Sequence, residues 1–318
     1  MKAMQLHETP NGPTLHRAEV PQPTPGKAEV LIRVHAAGII PTELNWEPTT
    51  HTKTGDKRPN AIPSHEFSGV IAAKGSDIAD FVIGQAVYGM NDWFADGALA
   101  EFCITQPSSI AAKPFTLTDE EAATVPISAL TALQALFDHA KLQPKERILI
   151  HGGSGGVGTF AVQLAHRHGA YVIATASTRN LSLVKRLGAD EVIDYKTTRF
   201  QNIVHDIDVV LDTVGGETLN LSWSVLKPHG RLVTIVSDIA DLADPRAKNS
   251  FFIVEPNQNQ LIEVAKLLDA GSLKTFVNAT VLFEDAPMAY TGPLPNALGY
   301  GKTVVTLPSG GSAVTASS

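Results

Sequence analysis

The apolar positions of this chain change their period partway along. Over roughly the first 110 residues they come in short runs separated by glycine, proline and aspartate. "KAMQLHE" and "TLHRAEV" flank a "TPNGP" turn, and Asn-Gly between apolar runs predicts a hairpin. "EVLIRVHAAGI", "FSGVIAAKG", "AVYGM" and "ALAEFCIT" follow as short strands, with "TPGK" and "TGDKRPN" as loops. The pattern predicts a barrel-like or sandwich-like lobe. From Thr118 the period lengthens: "TDEEAATV" reads as a capped helix start and "ALTALQALFDHA" has helical spacing. Then "RILIH", a helix, "YVIATA", the helix "NLSLVKRLG", "EVIDY", "DVVLDTV" and "RLVTIV" alternate in a way that predicts an α/β, doubly wound parallel sheet. After Glu255 the texture is mixed, with the helix "NQLIEVAKLLDAG" and a late strand "KTVVTL". The small, polar tail 309–318, "SGGSAVTASS", is expected to be disordered.

Between the strand "RILIH" and the next helix lie five glycines in seven residues. "GSGGVG" matches G-x-G-x-x-G at Gly153, Gly155 and Gly158, with Ser154, Gly156 and Val157 between them. The match is weak by itself, but here a strand precedes it and a helix follows. In that helix Val157, Phe160, Ala161, Leu164, Ala165 and His168 share one face. Such a loop lets backbone approach a pyrophosphate, which the helix N-terminus holds with free N–H groups and its dipole. The plainer reading is an ordinary glycine-rich turn. An NAD-preferring site places Asp or Glu at the end of the second strand, but "ATASTRN" has no acid there. Ser177, Thr178 and Arg179 offer hydroxyls and a guanidinium suited to a 2′-phosphate, so NADP(H) is the expected cofactor. Alternatively, Arg179 belongs to the solvated first turn of the next helix.

Composition narrows the classes. With 318 residues, the chain has room for two ordinary domains. No apolar run approaches the roughly 20 residues of a membrane span, and the start "MKAMQLHETPNGP" lacks a long apolar core, so a cytoplasmic protein with no membrane partner is expected. A net charge of −7 argues against a nucleic-acid partner. The single cysteine, Cys103, excludes an internal disulfide and a Cys-rich zinc module, and reads as a small buried hydrophobe.

"SHEFSGVI", "VYG", "GALAEF", "HGGSGGVG", "LGADEVIDY", "DVVLDTVGGE" and "LKPHGRLV" occur in an order that resembles the medium-chain dehydrogenases/reductases, in their zinc-independent, quinone-oxidoreductase-like branch. The resemblance covers nearly the whole chain except the tail. It implies a GroES-like, β-rich catalytic lobe built from residues 1–120 together with 256–318, and a Rossmann NADP-binding lobe over 121–255. Cofactor and substrate would share the cleft between them, in a homodimer. It also implies that Tyr195 lies near the adenosine phosphate, and that Thr213, Val214, Val236 and Ser237 line the cofactor path. The backbone of Phe251, Phe252, Ile253 and Val254 would meet the carboxamide, and Thr131 would approach the nicotinamide. For the apolar members, core packing is the alternative.

Zinc alcohol dehydrogenases of this superfamily hold their metal through Cys, His and Cys. The matching positions here are Ile40 in "AAGIIPTE", His65 in "PSHEF" and Ile127 in "VPISALTA". Zinc needs N, S or O ligands, so no zinc is expected. His65 is then either a hydrogen-bonded structural residue or a polar wall of the cleft. The zinc-free quinone reductases usually carry Asn, within N-P-x-D, where this chain has Ile40 followed by Pro41, Thr42 and Glu43. That departure bears on the substrate, not on the fold.

Without a Lewis acid, a simple ketone lacks electrophilic help, whereas a quinone or an α,β-unsaturated carbonyl accepts hydride at a conjugated carbon. The expected partner is such an electron-poor small molecule. Thr42, His65 and Tyr88 are the catalytic candidates, with Thr42 or Tyr88 able to relay a proton. Ile40, Trp46, Asn91 and Trp93 complete the expected pocket, and the indoles could stack on a flat acceptor or merely close the interface. The alternative function is an NADPH-binding redox sensor or structural protein with little turnover.

Overall fold

A computed structural model describes residues 1–236, 245–292 and 294–308. The expected tail 309–318 and the cofactor candidate Ser237 lie outside the described residues. The predicted hairpin is present: β1 (Lys2–Thr9) pairs antiparallel with β2 (Gly12–Glu19), closing at Thr9 and Gly12. β3 (Val30–Gly38), β4 (Glu66–Lys74), β5 (Ala86–Met90), β6 (Phe102–Thr105) and β7 (Ile110–Ala112) follow, with the one-turn helix α1 (Glu47–Thr50) after β3. They join β13 (Val277–Leu282) and β14 (Lys302–Thr306) in a sheet ordered β13-β14-β3-β4-β5-β7, with β6 beside β3. Both ends of the chain therefore build one sheet.

α2 (Asp119–Ala123) opens the second half. Its capping box is complete: Thr118 Oγ1 accepts from the Glu121 N–H at 3.2 Å, and Glu121 Oε2 accepts from the Thr118 N–H at 3.0 Å. α3 (Pro126–Leu133) starts on proline and widens into a π-helical turn over Gln134–His139. Next come β8 (Arg147–Ile150), α4 (Gly156–Arg167), β9 (Tyr171–Ala176), α5 (Leu181–Arg186), β10 (Glu191–Asp194), β11 (Ile207–Asp212), α6 (Gly216–Ser222) and β12 (Leu226–Thr234). The five strands are parallel in the order β10-β9-β8-β11-β12. The order reverses between β8 and β11, the switch point outside which doubly wound sheets bind ligands.

Ile148, Leu149 and Ile150 are all fully buried, because helices cover both faces of a parallel sheet. Each such side chain contributes ~1.5–3 kcal/mol of burial. The predicted face of α4 is buried from Phe160 to Ala165, and Val162 and Gln163 are buried as well, since α3 packs on the helix from another side. α7 (Gln258–Asp269) buries Leu261, Val264 and Leu268 in this same core, although a boundary at residue 255 assigns it to the other lobe. The short α8 (Met288–Thr291) precedes β14.

Tyr88 and Trp93 tie the first sheet to this core. The Tyr88 hydroxyl donates to the Leu261 carbonyl at 2.6 Å, and Trp93 Nε1–H donates to the Val254 carbonyl at 3.0 Å. Tyr88 is fully buried, and that burial holds its phenol far above its ordinary 10.0. Its only described hydrogen bond is structural, so the expected proton-relay role is corrected. Tyr88→Phe should lower stability by ~1–2 kcal/mol in urea melts and leave kcat unchanged.

Candidate active site

Where β8 ends, the chain turns through residues 151–155 and enters α4. The left-handed turn falls on Gly152 (φ 74°), one residue before the predicted motif, where a methyl group would overlap Thr213 Oγ1. A methyl on Gly158 would overlap the Gly152 carbonyl oxygen, so this glycine lets helix and turn pack closely. At Gly155 a Cβ would meet only Gly152 O, at 3.4 Å, and otherwise open space. Gly155 caps α4 with no side-chain bond to its first turn. The loop is thus a cradle with one open face, ended by an uncapped helix, which fits a dinucleotide diphosphate. Behind it His151 is buried, with ring nitrogens 3.3 Å from Thr175 Oγ1 and 3.0 Å from Ser222 Oγ, and burial pulls it down to about 3.

A cleft of about 980 Å³ opens in front of the loop. From one side Ile40, Thr42, Trp46 and Trp93 line it; from the other, Thr131, Gly155, Gly156, Val157, Thr213, Val214, Val236, Phe252 and Ile253. These expected residues are brought together. Trp46 and Trp93 meet edge to face, centroids 5.0 Å apart, as one aromatic wall. Gly153, Ser154 and Gly158 shape the cradle behind the lining, and Phe251 continues the parallel sheet through a bridge to Thr234. At the other end of the loop Ser177 is buried, while Thr178 donates to Asp194 Oδ2 at 2.6 Å. Asp194 ends the neighbouring strand β10, opposite Ala176 at the end of β9. The Arg179 guanidinium lies against Gly299, and Tyr195 is 59% exposed.

Asn91 is not in the cleft. Its amide donates to the carbonyls of Asp96 and Ile104, both at 3.1 Å, so it holds a loop rather than a substrate. His65 is also fully buried, with Nε2 3.3 Å from the Ala95 carbonyl, Nδ1 3.4 Å from Glu43 Oε2 and its ring on Trp93. The hydrogen-bonded structural alternative is the one observed.

The metal positions fare no better. Beside His65 stand the aliphatic Ile40 and Ile127. The nearby carboxylates are occupied: Glu43 accepts from Tyr290 Oη at 2.7 Å and from the Ser64 N–H at 3.0 Å. Glu66 accepts from the Ile127 N–H at 2.9 Å and from Lys302 Nζ. No cluster of three or more His, Cys, Asp or Glu that could hold a metal occurs among the described residues. This donor set does not fit zinc. Sequence reasoning missed Ser128 and Lys302, which also line the cleft; a serine in an apolar helix and a lysine before a strand give no local signal.

Residues 26–115 match the family model of the alcohol dehydrogenase GroES-like domain, and residues 187–305 that of zinc-binding dehydrogenases. A mitochondrial NAD(P)H oxidoreductase of Danio rerio is 30% identical over 88% of this chain and 84% of its own. A chloroplastic quinone-oxidoreductase of Triphysaria versicolor is 32% identical over 91% and 94%. Among solved structures, the quinone oxidoreductase from Coxiella burnetii superposes with a TM-score of 0.85 at 30% identity, covering 97% of this chain and 99% of that one. The CurK enoyl reductase gives 0.81 at 26%, covering 96% and 99%. The two family-model matches and relatives at least 30% identical that match nearly end to end establish that this chain belongs to the medium-chain dehydrogenase/reductase superfamily, among its quinone-oxidoreductase-like oxidoreductases.

Proposed function

We propose that the chain is an NADPH-dependent, zinc-independent reductase of quinones or α,β-unsaturated carbonyls. The observation that carries this reading is the chemistry of the cleft wall, aromatic and aliphatic where a zinc enzyme would present ligands. A nicotinamide bound in this cleft would supply a hydride. The chain's own residues do the rest by position. The first turn of α4 holds the diphosphate, and Thr131, Thr213 and the 252–254 backbone orient the nicotinamide. Ile40, Ile127, Trp46 and Trp93 exclude water and favour a flat, electron-poor acceptor. Thr42, exposed at the rim, passes a proton in from water.

Selection of NADPH rests on Ser177, Thr178 and Arg179, with no acid at the end of β9. Arg179→Ala should weaken NADPH binding by about 10- to 100-fold, the range of a charge-assisted hydrogen bond, and leave NADH binding within about twofold. Paired fluorescence titrations check this; equal losses for both cofactors would remove the assignment. A little-turnover sensor is the second reading, favoured by one feature: Lys302 is the only ionisable side chain among the described cleft residues. A panel of quinones and enones separates the two. The lobes 1–120 with 256–318 and 121–255, apart from α7, which packs in the core of the second, belong to the same proposal, as do the homodimer and the cytoplasmic location. The quinone-oxidoreductase relative above is chloroplastic and the NAD(P)H oxidoreductase mitochondrial, so cell fractionation bears on the location.

A further inference from the structure

A second concavity, of about 630 Å³, opens where α4 and α5 end and shares no lining residue with the cleft. The 12 residues of α4 rise ~18 Å, so its last turn stands a helix length from the glycine loop. The floor of the concavity is apolar: Leu183 and Leu187 are buried, and Phe276 is half-buried. Its rim is cationic. His166 and Arg167 come from the last turn of α4, Arg186 from the last turn of α5, and Lys274 from the loop after α7. All four are exposed. Among the described residues, no Asp or Glu lines the concavity, and no carboxylate or carbonyl pairs with these side chains.

A cation in the last turn of a helix answers the negative end of the dipole, which accounts for Arg167 and Arg186 taken singly. It does not account for Lys274, which lies beyond the end of α7. Here α4 itself fixes the loop. Gln163, 9% exposed, accepts the Lys274 N–H on Oε1 at 2.9 Å and donates from Nε2 to the Lys274 carbonyl at 2.9 Å. A nearly buried amide is thus committed to holding one lysine's main chain at the rim. On the other side, Gly188 (φ 112°) follows α5 where any Cβ would overlap the His166 ring, so the two helix ends come close enough for their cations to share one opening. Within a chain of net charge −7, three cations gathered round a carboxylate-free concavity repel one another, and an anion between them relieves that.

We propose that this concavity is a second anion site, which takes the polyphosphate group of a small molecule, with Arg167, Arg186 and Lys274 holding the phosphates. The two guanidiniums offer forked donors that match phosphate oxygens, and the lysine adds a point charge. The volume is that of a small-molecule site, and the leucine floor keeps water from one side of the paired charges. The site stands apart from the cofactor cleft and does not rest on the cofactor reading.

The test is calorimetric titration of the full chain with tripolyphosphate in the presence of excess NADPH, which occupies the cleft. The double variant Arg167→Gln/Arg186→Gln should bind tripolyphosphate about tenfold more weakly than wild type, or worse. Its NADPH affinity should stay within about twofold and its ligand-free Tm within about 2 °C, because both side chains are exposed. Arg167→Lys/Arg186→Lys, which keeps the charge and loses the fork, should stay within about fivefold of wild type. Equal losses in the two double variants overturn the site. Wild type that does not bind tripolyphosphate also overturns it, and leaves the cations to an acidic protein surface or to the helix ends alone. Equal binding by wild type and the glutamine variant overturns it too, since the anion then sits elsewhere. So does a glutamine variant that loses NADPH affinity and Tm together with tripolyphosphate, which marks the arginines as structural. Wild type that binds no NADPH, yet binds tripolyphosphate in a way that needs both arginines, overturns the cofactor reading and keeps this site. Lys274→Gln should weaken tripolyphosphate about threefold or more, and unchanged affinity removes Lys274 from the site.

Discussion

Gly155→Ala should keep its stability and lose most of its cofactor affinity, whereas Gly158→Ala should lose part of both. At Gly155 the backbone is extended (φ −75°, ψ 176°), open to any residue, and the added methyl would meet only Gly152 O at 3.4 Å. Stability should change by less than about 0.5 kcal/mol, as at an unstrained open position. Yet that methyl would stand on the open face of the cradle, where a diphosphate must approach the backbone. NADPH affinity should fall about 100-fold. At Gly158 the methyl would overlap a main-chain oxygen that no rotamer change can move. The turn or the helix must shift, at ~1–3 kcal/mol for overpacking. Thermal melts with NADPH titrations check the pair. Wild-type affinity in Gly155→Ala would show that the ligand does not approach this face.

Acid should weaken the fold through His151, well above the range in which carboxylates titrate. The folded protein keeps this imidazole neutral down to about 3, because it is buried between hydroxyls. The unfolded chain protonates it near ~6.5. Between those values the unfolded state binds more protons, so stability is full above the unfolded pKa and falls as pH drops toward the folded one. The loss should be ~2 kcal/mol between pH 7 and pH 5, and ~4–5 kcal/mol once pH 3 is reached. Asp119 adds to the loss at lower pH: His35 above all, with Ser68 and Lys113, holds its carboxyl well below the ordinary range. Urea melts at pH 7 and 5 of wild type and His151→Gln check the assignment. The variant should show a much smaller loss over that interval, and an equal loss would place the titrating group elsewhere.

The parts of the molecule legible in its sequence are those whose physics is local. A buried strand, a glycine turn and an amphipathic helix lie consecutively in "RILIHGGSGGVGTF", so loop and helix could be read directly. The capping box at Thr118 is equally local. Tyr88 and Asn91 misled because a phenol and an amide near a cleft look available, and their partners are main-chain carbonyls invisible to composition. For Tyr88 that partner is 173 residues away. The sequence leaves His65 open between two roles for the same reason, since only the fold brings Glu43 and Ala95 to its nitrogens. Ser128 and Lys302 reach the cleft from distant segments, neither distinctive in its own neighbourhood.

The most direct test of the central claim is steady-state oxidation of NADPH and NADH by chelator-treated protein against matched quinones, enones and simple ketones. A zinc-free cleft that selects the 2′-phosphate predicts turnover of quinones or enones with NADPH, undiminished by the chelator, slower with NADH and negligible with simple ketones. Activity that vanishes on chelation and returns with zinc would contradict it, as would NADPH binding with no turnover of any acceptor.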